Sequence, residues 1–269
     1  SFAAIFFKMT APTHPLVAAG LRLAIAAVVL APFVARARMR GRMNGKTLRL
    51  AILGGGCYAI HFGAWVSSLT MTTVASSVTL VTATPLMLAL VGWFTGKDKP
   101  SSRLWIAIGV ACVGLVVVSD HDRHLGTEAL IGDGLALLGA AAMAVYLLLT
   151  RGLGEGLDPL AFIGVSASVG SLLLLSVAWG AGIDLVPSST TAAVYILLAA
   201  LIPQLIGHSL LTWAVKFLPP TVVGLATVGE PVGSTLLAMF WPGIEEPVSG
   251  QMLLGGALVL TAVVITLRG

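Results

Sequence analysis

The run LVAAGLRLAIAAVVLAPFVA (residues 16–35) is followed at once by RARMRGRMNGKTLR (residues 36–49). The first stretch has about the twenty apolar residues that a helix needs to cross a hydrocarbon core. The second holds six cations: Arg36, Arg38, Arg40, Arg42, Lys46 and Arg49. An apolar run ending on a basic loop reads as a membrane span with its solvent-side anchor. The alternation continues along the chain. Full spans are predicted at approximately 16–35, 48–70, 74–95, 103–119, 130–150, 159–180, 191–214, 220–241 and 249–267, with a partial one at 1–10.

Composition agrees. Of 269 residues, 57% are apolar and 10% are charged, and mean hydropathy is +1.00. A soluble domain carries about 25% charged residues. So sparse a charged shell excludes a cytosolic enzyme, a disordered chain and a disulfide scaffold. The net charge of +4 is explained by cations in short loops, not by nucleic acid. Cys57 and Cys112 lie inside apolar segments and read as buried, reduced and inert. No secretory signal is legible before the chain enters its first apolar stretch.

Punctuation between spans comes from Pro12 to Pro15, Gly96 to Pro100, Gly152 to Gly156, Pro187-Ser188-Ser189 and Pro242-Gly243. Thr70 to Thr73 and Phe217 to Pro220 mark two weaker breaks. If the spans alternate, twelve of the fifteen cations fall in loops or span ends on one face and Arg123 alone on the other, with Lys8 and Arg22 near or inside spans. The basic face is expected to be cytoplasmic, with both ends of the full chain inside.

The two halves align. His14-Pro15-Leu16 meets Asp158-Pro159-Leu160, Gly20 meets Gly164, and Thr84-Pro85 meets Glu230-Pro231. Five spans per half is an odd number, so the halves are expected to sit inverted, the arrangement typical of secondary transporters. The expected fold is therefore an all-α integral membrane protein of ten transmembrane helices in two inverted five-helix repeats, residues 1–119 and 129–269. Ser1 falls opposite Val145, well inside span six, so the register predicts a first helix that is truncated in this chain.

Gly132-Asp133-Gly134-Leu135-Ala136-Leu137-Leu138, running on to Tyr146 and Thr150-Arg151, resembles the start of the second repeat in EamA-type members of the drug/metabolite transporter superfamily. Lys216-Phe217-Leu218 followed by Glu230-Pro231 resembles that family's eighth-to-ninth helix region, and Ser1-Phe2 through Lys8 resembles the tail of its first helix. Within the family the chain looks most like the aromatic amino-acid exporters of bacterial inner membranes. The resemblance implies ten helices, no ATP site, no cofactor and export of amino acids or related metabolites. The chain departs from a paired-acid pattern, with Thr84 in the first repeat where the second has Glu230.

Polar groups at membrane depth need a reason. In span three, Tyr58, His61, Phe62 and Trp65 share one helical face; in span eight, Gln204, His208 and Thr212 share another. The register sets Phe62 opposite His208. These stripes read either as the walls of a central cavity or as helix contacts with the polar groups satisfied locally. Span four is rich in hydroxyls (Ser76, Ser77, Thr79, Thr82, Thr84), of which Thr82 is assigned to the cavity. Pro85 and Pro231 break their helices at equivalent positions. Glu230 could take a proton or a substrate ammonium, or equally pair with a buried cation or lie near the membrane boundary. The candidate substrate-binding set is Tyr58, His61, Trp65, Thr82, Tyr146, Gln204, His208 and Glu230, with Met143 as further wall.

Arg22 is expected to snorkel to the outer interface, with contact to a substrate carboxylate as the alternative, and Lys8 to snorkel likewise; Trp213 reads as an aromatic-belt residue or as further apolar wall. His121-Asp122-Arg123-His124 reads as a solvated outer loop, not a metal site. Gly152-x-Gly-x-Gly156 reads as a loop, since no strand precedes it. The leading reading is a non-enzymatic secondary transporter exporting amino acids, aromatic or hydrophobic ones, by alternating access. Its partners are the lipid bilayer and a small-molecule substrate, with no nucleic acid and no metal. Proton coupling stays open beside facilitated flux. The alternatives are an exporter of other small metabolites or drugs, and an intramembrane enzyme.

Overall fold

The computed structural model describes residues 2–94, 102–123, 125–152, 158–218, 223, 227 and 229–267. Among them the chain forms helices and no strand. In order these are α1 (Phe2–Lys8), α2 (Pro15–Met39), α3 (Gly45–Met71), α4 (Val74–Val81), α5 (Thr84–Phe94), α6 (Ser102–Arg123), α7 (Thr127–Arg151), α8 (Pro159–Gly180), α9 (Thr190–Ala199), a π-helical segment (Ala200–His208), α10 (Ser209–Ala214), α11 (Glu230–Phe240) and α12 (Gly250–Leu267). Taking α4 with α5, and α9 with the π segment and α10, these make ten helical segments among the described residues. Five, including Thr190–Ala214, are long and apolar enough to cross a membrane, and three more apolar helices are shorter.

The starts of these helices follow from local chemistry. Asn44 Oδ1 accepts from the Thr47 N–H at 2.9 Å and Thr73 Oγ1 from the Ser76 N–H at 3.1 Å. Asp158 Oδ1 accepts from the Ala161 N–H at 3.3 Å, and Ser189 Oγ from the Ala192 N–H at 3.0 Å. Pro15 and Pro159 stand in first-turn positions, where a missing N–H costs nothing. The weak break expected near Thr70 is real: Thr72 and Thr73 alone separate α3 from α4.

Two spans are less regular than the apolar runs suggest. The fourth is broken at Thr82-Ala83, ahead of Pro85. Proline cannot bond the carbonyl four residues back, here that of Val81, and the Thr84 hydroxyl donates to it instead at 3.0 Å. The eighth is π-helical through Ala200–His208 around Pro203. Residues 121–123 continue α6, so the loop expected there begins later; their side chains, and His124, lie outside the described residues, as do residues 153–157 of the glycine-rich loop.

The interior holds polar side chains and the exterior large apolar ones. Ser76, Ser77, Ser166 and Gln204 are completely buried, while Val28, Leu172 and Val177 are exposed. That inversion suits a solvent of hydrocarbon. The most extensive helix pairs are α3 with α7, α2 with α8, and α6 with α12. The last depends on glycine: a Cβ on Gly114 would lie 2.9 Å from the Gly255 carbonyl oxygen, and one on Gly255 would lie 3.1 Å from that of Gly114. Such backbone-to-backbone approach is how membrane helices gain packing energy where lipid removes the hydrophobic drive. Gly114→Ile is therefore expected to destabilise the fold by about 2 kcal/mol or more. Gly109→Ile, where a Cβ meets nothing within 4 Å, should match wild type; thermal unfolding in detergent reads the difference.

Candidate functional site

Between the helices lies a cavity of about 580 Å³, within the range of small-molecule sites. His61 and Trp65 enter it from α3, Thr82 and Thr84 from the break in the fourth span, and Met143 and Tyr146 from α7. His208 and Thr212 enter from the eighth segment, and Glu230 from the start of α11. Six of the eight sequence-predicted residues thus line one space: His61, Trp65, Thr82, Tyr146, His208 and Glu230.

The aromatic face of α3 forms a continuous stack with its neighbours. Tyr58 lies on Tyr146 with ring centroids 4.3 Å apart, and the His208 ring is 5.2 Å from Phe62 and 6.3 Å from His61. His61 Nδ1 is 2.8 Å from the Gly139 carbonyl oxygen. A carbonyl only accepts, so Nδ1 carries the proton, and in the neutral ring Nε2 is the acceptor. Tyr146 Oη and Thr212 Oγ1 are 3.2 Å apart. Trp65 Nε1 is buried and meets no acceptor among the described residues, which leaves a donor at the wall.

Tyr58 and Gln204 are placed elsewhere. Both are completely buried behind the wall and do not line the cavity. Their neighbour is Arg22, and here the expectation of snorkelling fails. Arg22 is 0% exposed. Its Nη2 donates to Gln204 Oε1 at 2.8 Å, and its guanidinium carbon lies 4.2 Å from the Phe62 ring centroid and 5.3 Å from that of Phe7. Residue 22 is about 10 Å along α2 from its start at Pro15, too deep for the side chain to reach the end of the helix while this hydrogen bond and these rings hold it. Cation–π contacts contribute about 2 kcal/mol each when desolvated, and burying the ion costs several. Arg22 and Glu230 also interact electrostatically across the interior.

Lys8, part-exposed at the end of α1, has a partner there. Its Nζ is 2.8 Å from Glu246 Oε1, while Glu246 Oε2 accepts from the Val74 N–H at 2.7 Å. Thr13 and Ser188 hydroxyls meet at 2.8 Å. These ties close the end of the bundle away from the basic 36–49 loop. Trp213 is 52% exposed, as a belt residue would be. Two features escaped the sequence: the π-helical segment, whose only advance signal is Pro203, and the burial of Asp133 in α7. Among the described residues no cluster of three His, Cys, Asp or Glu could hold a metal ion.

A model of the EamA-like transporter family matches residues 1–120 and again residues 130–268. No curated protein matches the chain. A solved crystal structure superposes with a TM-score of 0.66 at 18% identity, covering 98% of this chain and 92% of that one; so low an identity speaks to the fold alone. The chain belongs to the EamA-like transporter family, a family of membrane transporters.

If the cavity is reached by water, Leu211→Cys, on its lining, should react with a small methanethiosulfonate on the order of tenfold faster than Ser166→Cys, which is buried against the Ala51 carbonyl. Both belong on a Cys57→Ala, Cys112→Ala background, read by mass spectrometry.

Proposed function

We propose that this EamA-like family member is a secondary transporter that exports amino acids with aromatic or hydrophobic side chains across the bacterial inner membrane by alternating access. One observation carries the reading. A ligand-sized cavity lies at the contact of the two halves, with apolar and aromatic walls and few polar groups. His61, Trp65 and Thr82 come from the first half, and Tyr146, His208 and Glu230 from the second. That is the composition of a small-molecule site. Glu230 would meet an ammonium, His61 Nε2 would accept a hydrogen bond, and Trp65 and Tyr146 would hold the side chain.

The two family matches, and the pattern of packing, favour two inverted repeats over residues 1–119 and 129–269. Exchanging each segment with its counterpart maps α2 against α8 and α6 against α12 onto themselves. It maps α3 against α7 onto α9 against α1, and α4 against α7 onto α11 against α1. Every one of these contacts is made. With the basic loops inside, the Lys8–Glu246 and Thr13–Ser188 ties join the halves on the outer side. This ion pair, with side chains 24% and 17% exposed, is a local polar tie that would have to break for the outer side to open.

Counterflow of labelled L-phenylalanine in proteoliposomes tests the function. His61→Ala and Glu230→Gln are each expected to lower the initial rate by roughly tenfold; wild-type-like rates in both would remove the cavity assignment, and absence of flux in wild type would remove the substrate class. Lys8→Gln or Glu246→Gln should raise labelling of Thr82→Cys by an impermeant reagent added outside, about two- to fivefold. Unchanged labelling would mean that the pair does not hold the outer side closed.

A further inference from the structure

We propose that Arg22, with Gln204 and Tyr58, forms an inner subsite that takes the carboxylate of the transported molecule. The inference deepens the transporter reading above and rests on it for the word transported, but not for the binding of an anion.

The argument begins with counting donors. A guanidinium has five N–H groups and no acceptor. At Arg22 one nitrogen, Nη2, is met, by Gln204 Oε1 at 2.8 Å. Nε and Nη1 are buried and meet no acceptor among the described residues. The aromatic faces of Phe62 and Phe7 cover the plane of the cation but leave its edge, where hydrogen bonds form, unserved. Gln204 turns its oxygen to Arg22, which leaves its Nε2 as a further buried donor without an acceptor. The Tyr58 hydroxyl likewise meets no acceptor in full hydrogen-bond geometry; it has weaker polar contacts with Tyr146, Gln204 and Thr212 and lies within electrostatic reach of Arg22. Three side chains from α2, α3 and the π segment thus bring spare donors to one place. A planar group with two acceptor oxygens and a negative charge complements them, because the edge of arginine matches a carboxylate bidentately.

The place adjoins the cavity. Phe62 touches both the guanidinium, at 4.2 Å, and the His208 ring, at 5.2 Å. Tyr58 stacks on Tyr146. His208 and Tyr146 both line the cavity, so the wall is one layer of rings thick. Gln204 and His208 share the π-helical segment, a form that recurs at functional sites. Movement of the His208 ring joins the subsite to the cavity. Glu230 then stands at the cavity and Arg22 behind the wall, an arrangement with opposite charges at two ends, suited to a zwitterion.

The test uses a pair of probes with one shape and different charge, 3-phenylpropionate and 3-phenylpropanamide, bound to the full chain in nanodiscs and measured by equilibrium dialysis. Wild type is expected to favour the carboxylate by roughly tenfold. Arg22→Met should bring that ratio to about one, and Arg22→Lys should retain part of it. Tyr58→Phe, which keeps the stacked ring and the arginine, should lower the ratio severalfold and covers the case in which Arg22→Met does not fold. A purely structural role would weaken both probes together and leave the ratio unchanged, which overturns the subsite. So does failure of the carboxylate to outcompete the amide in wild type, even if L-phenylalanine counterflow is intact. Arginine-dependent preference for the carboxylate without any amino-acid flux would uphold the subsite and overturn the amino-acid reading.

Discussion

Hydrocarbon offers no hydrogen-bond partners, and the backbone and small hydroxyl side chains of this bundle are arranged around that fact. Backbone groups close on themselves as helices. Where proline interrupts the ladder in the fourth span, the Thr84 hydroxyl reaches the carbonyl that loses its donor. Serines and threonines turn inward to carbonyls or to each other: Ser166 to Ala51, and Ser68 to Ser77. Other valines and leucines than those of the core, Val28, Leu172 and Val177 among them, turn out. The same constraint makes Arg22 conspicuous, because a buried cation has to be met by something, and what the described residues supply is one amide oxygen, two rings and a distant carboxylate.

The glycine contact between α6 and α12 and the broad contact of α2 with α8 each join one half of the chain to the other. The cavity lies between such contacts. Its lining comes from both halves, so a change in how they meet alters its shape and access together. The ion pair and the hydroxyl contact at one end join the halves at single points, and the helix pairs join them along broad contacts.

Much of the architecture could be read from apolar run length and basic loops, because both report directly on where lipid ends. The stripe His61, Phe62, Trp65 on one helix and His208, Thr212 on another were legible for a similar reason: spacing of three or four defines a face, and polar or aromatic residues on a buried face leave few alternatives. Arg22 was misread because an isolated arginine in an apolar helix has two low-cost fates, reaching the interface or finding a partner. Its partner, Gln204, is 182 residues away. Tyr58 and Gln204 carry the right period but stand one layer behind the wall, since period fixes direction and not depth. The π-helical segment depends on how Pro203 is accommodated by neighbours, which local sequence does not encode.

The break at Thr82-Ala83 has a mechanical corollary. In an intact helix, bending stretches backbone hydrogen bonds on the outside of the curve. Here the carbonyl of Val81 is held by a short side chain with its own torsion, so α4 and α5 meet at an elbow whose bond can swivel as the angle changes. Thr82 and Thr84 flank that elbow and face the cavity. Flexing it would carry two hydroxyls across the chamber wall without opening a rung of either half-helix.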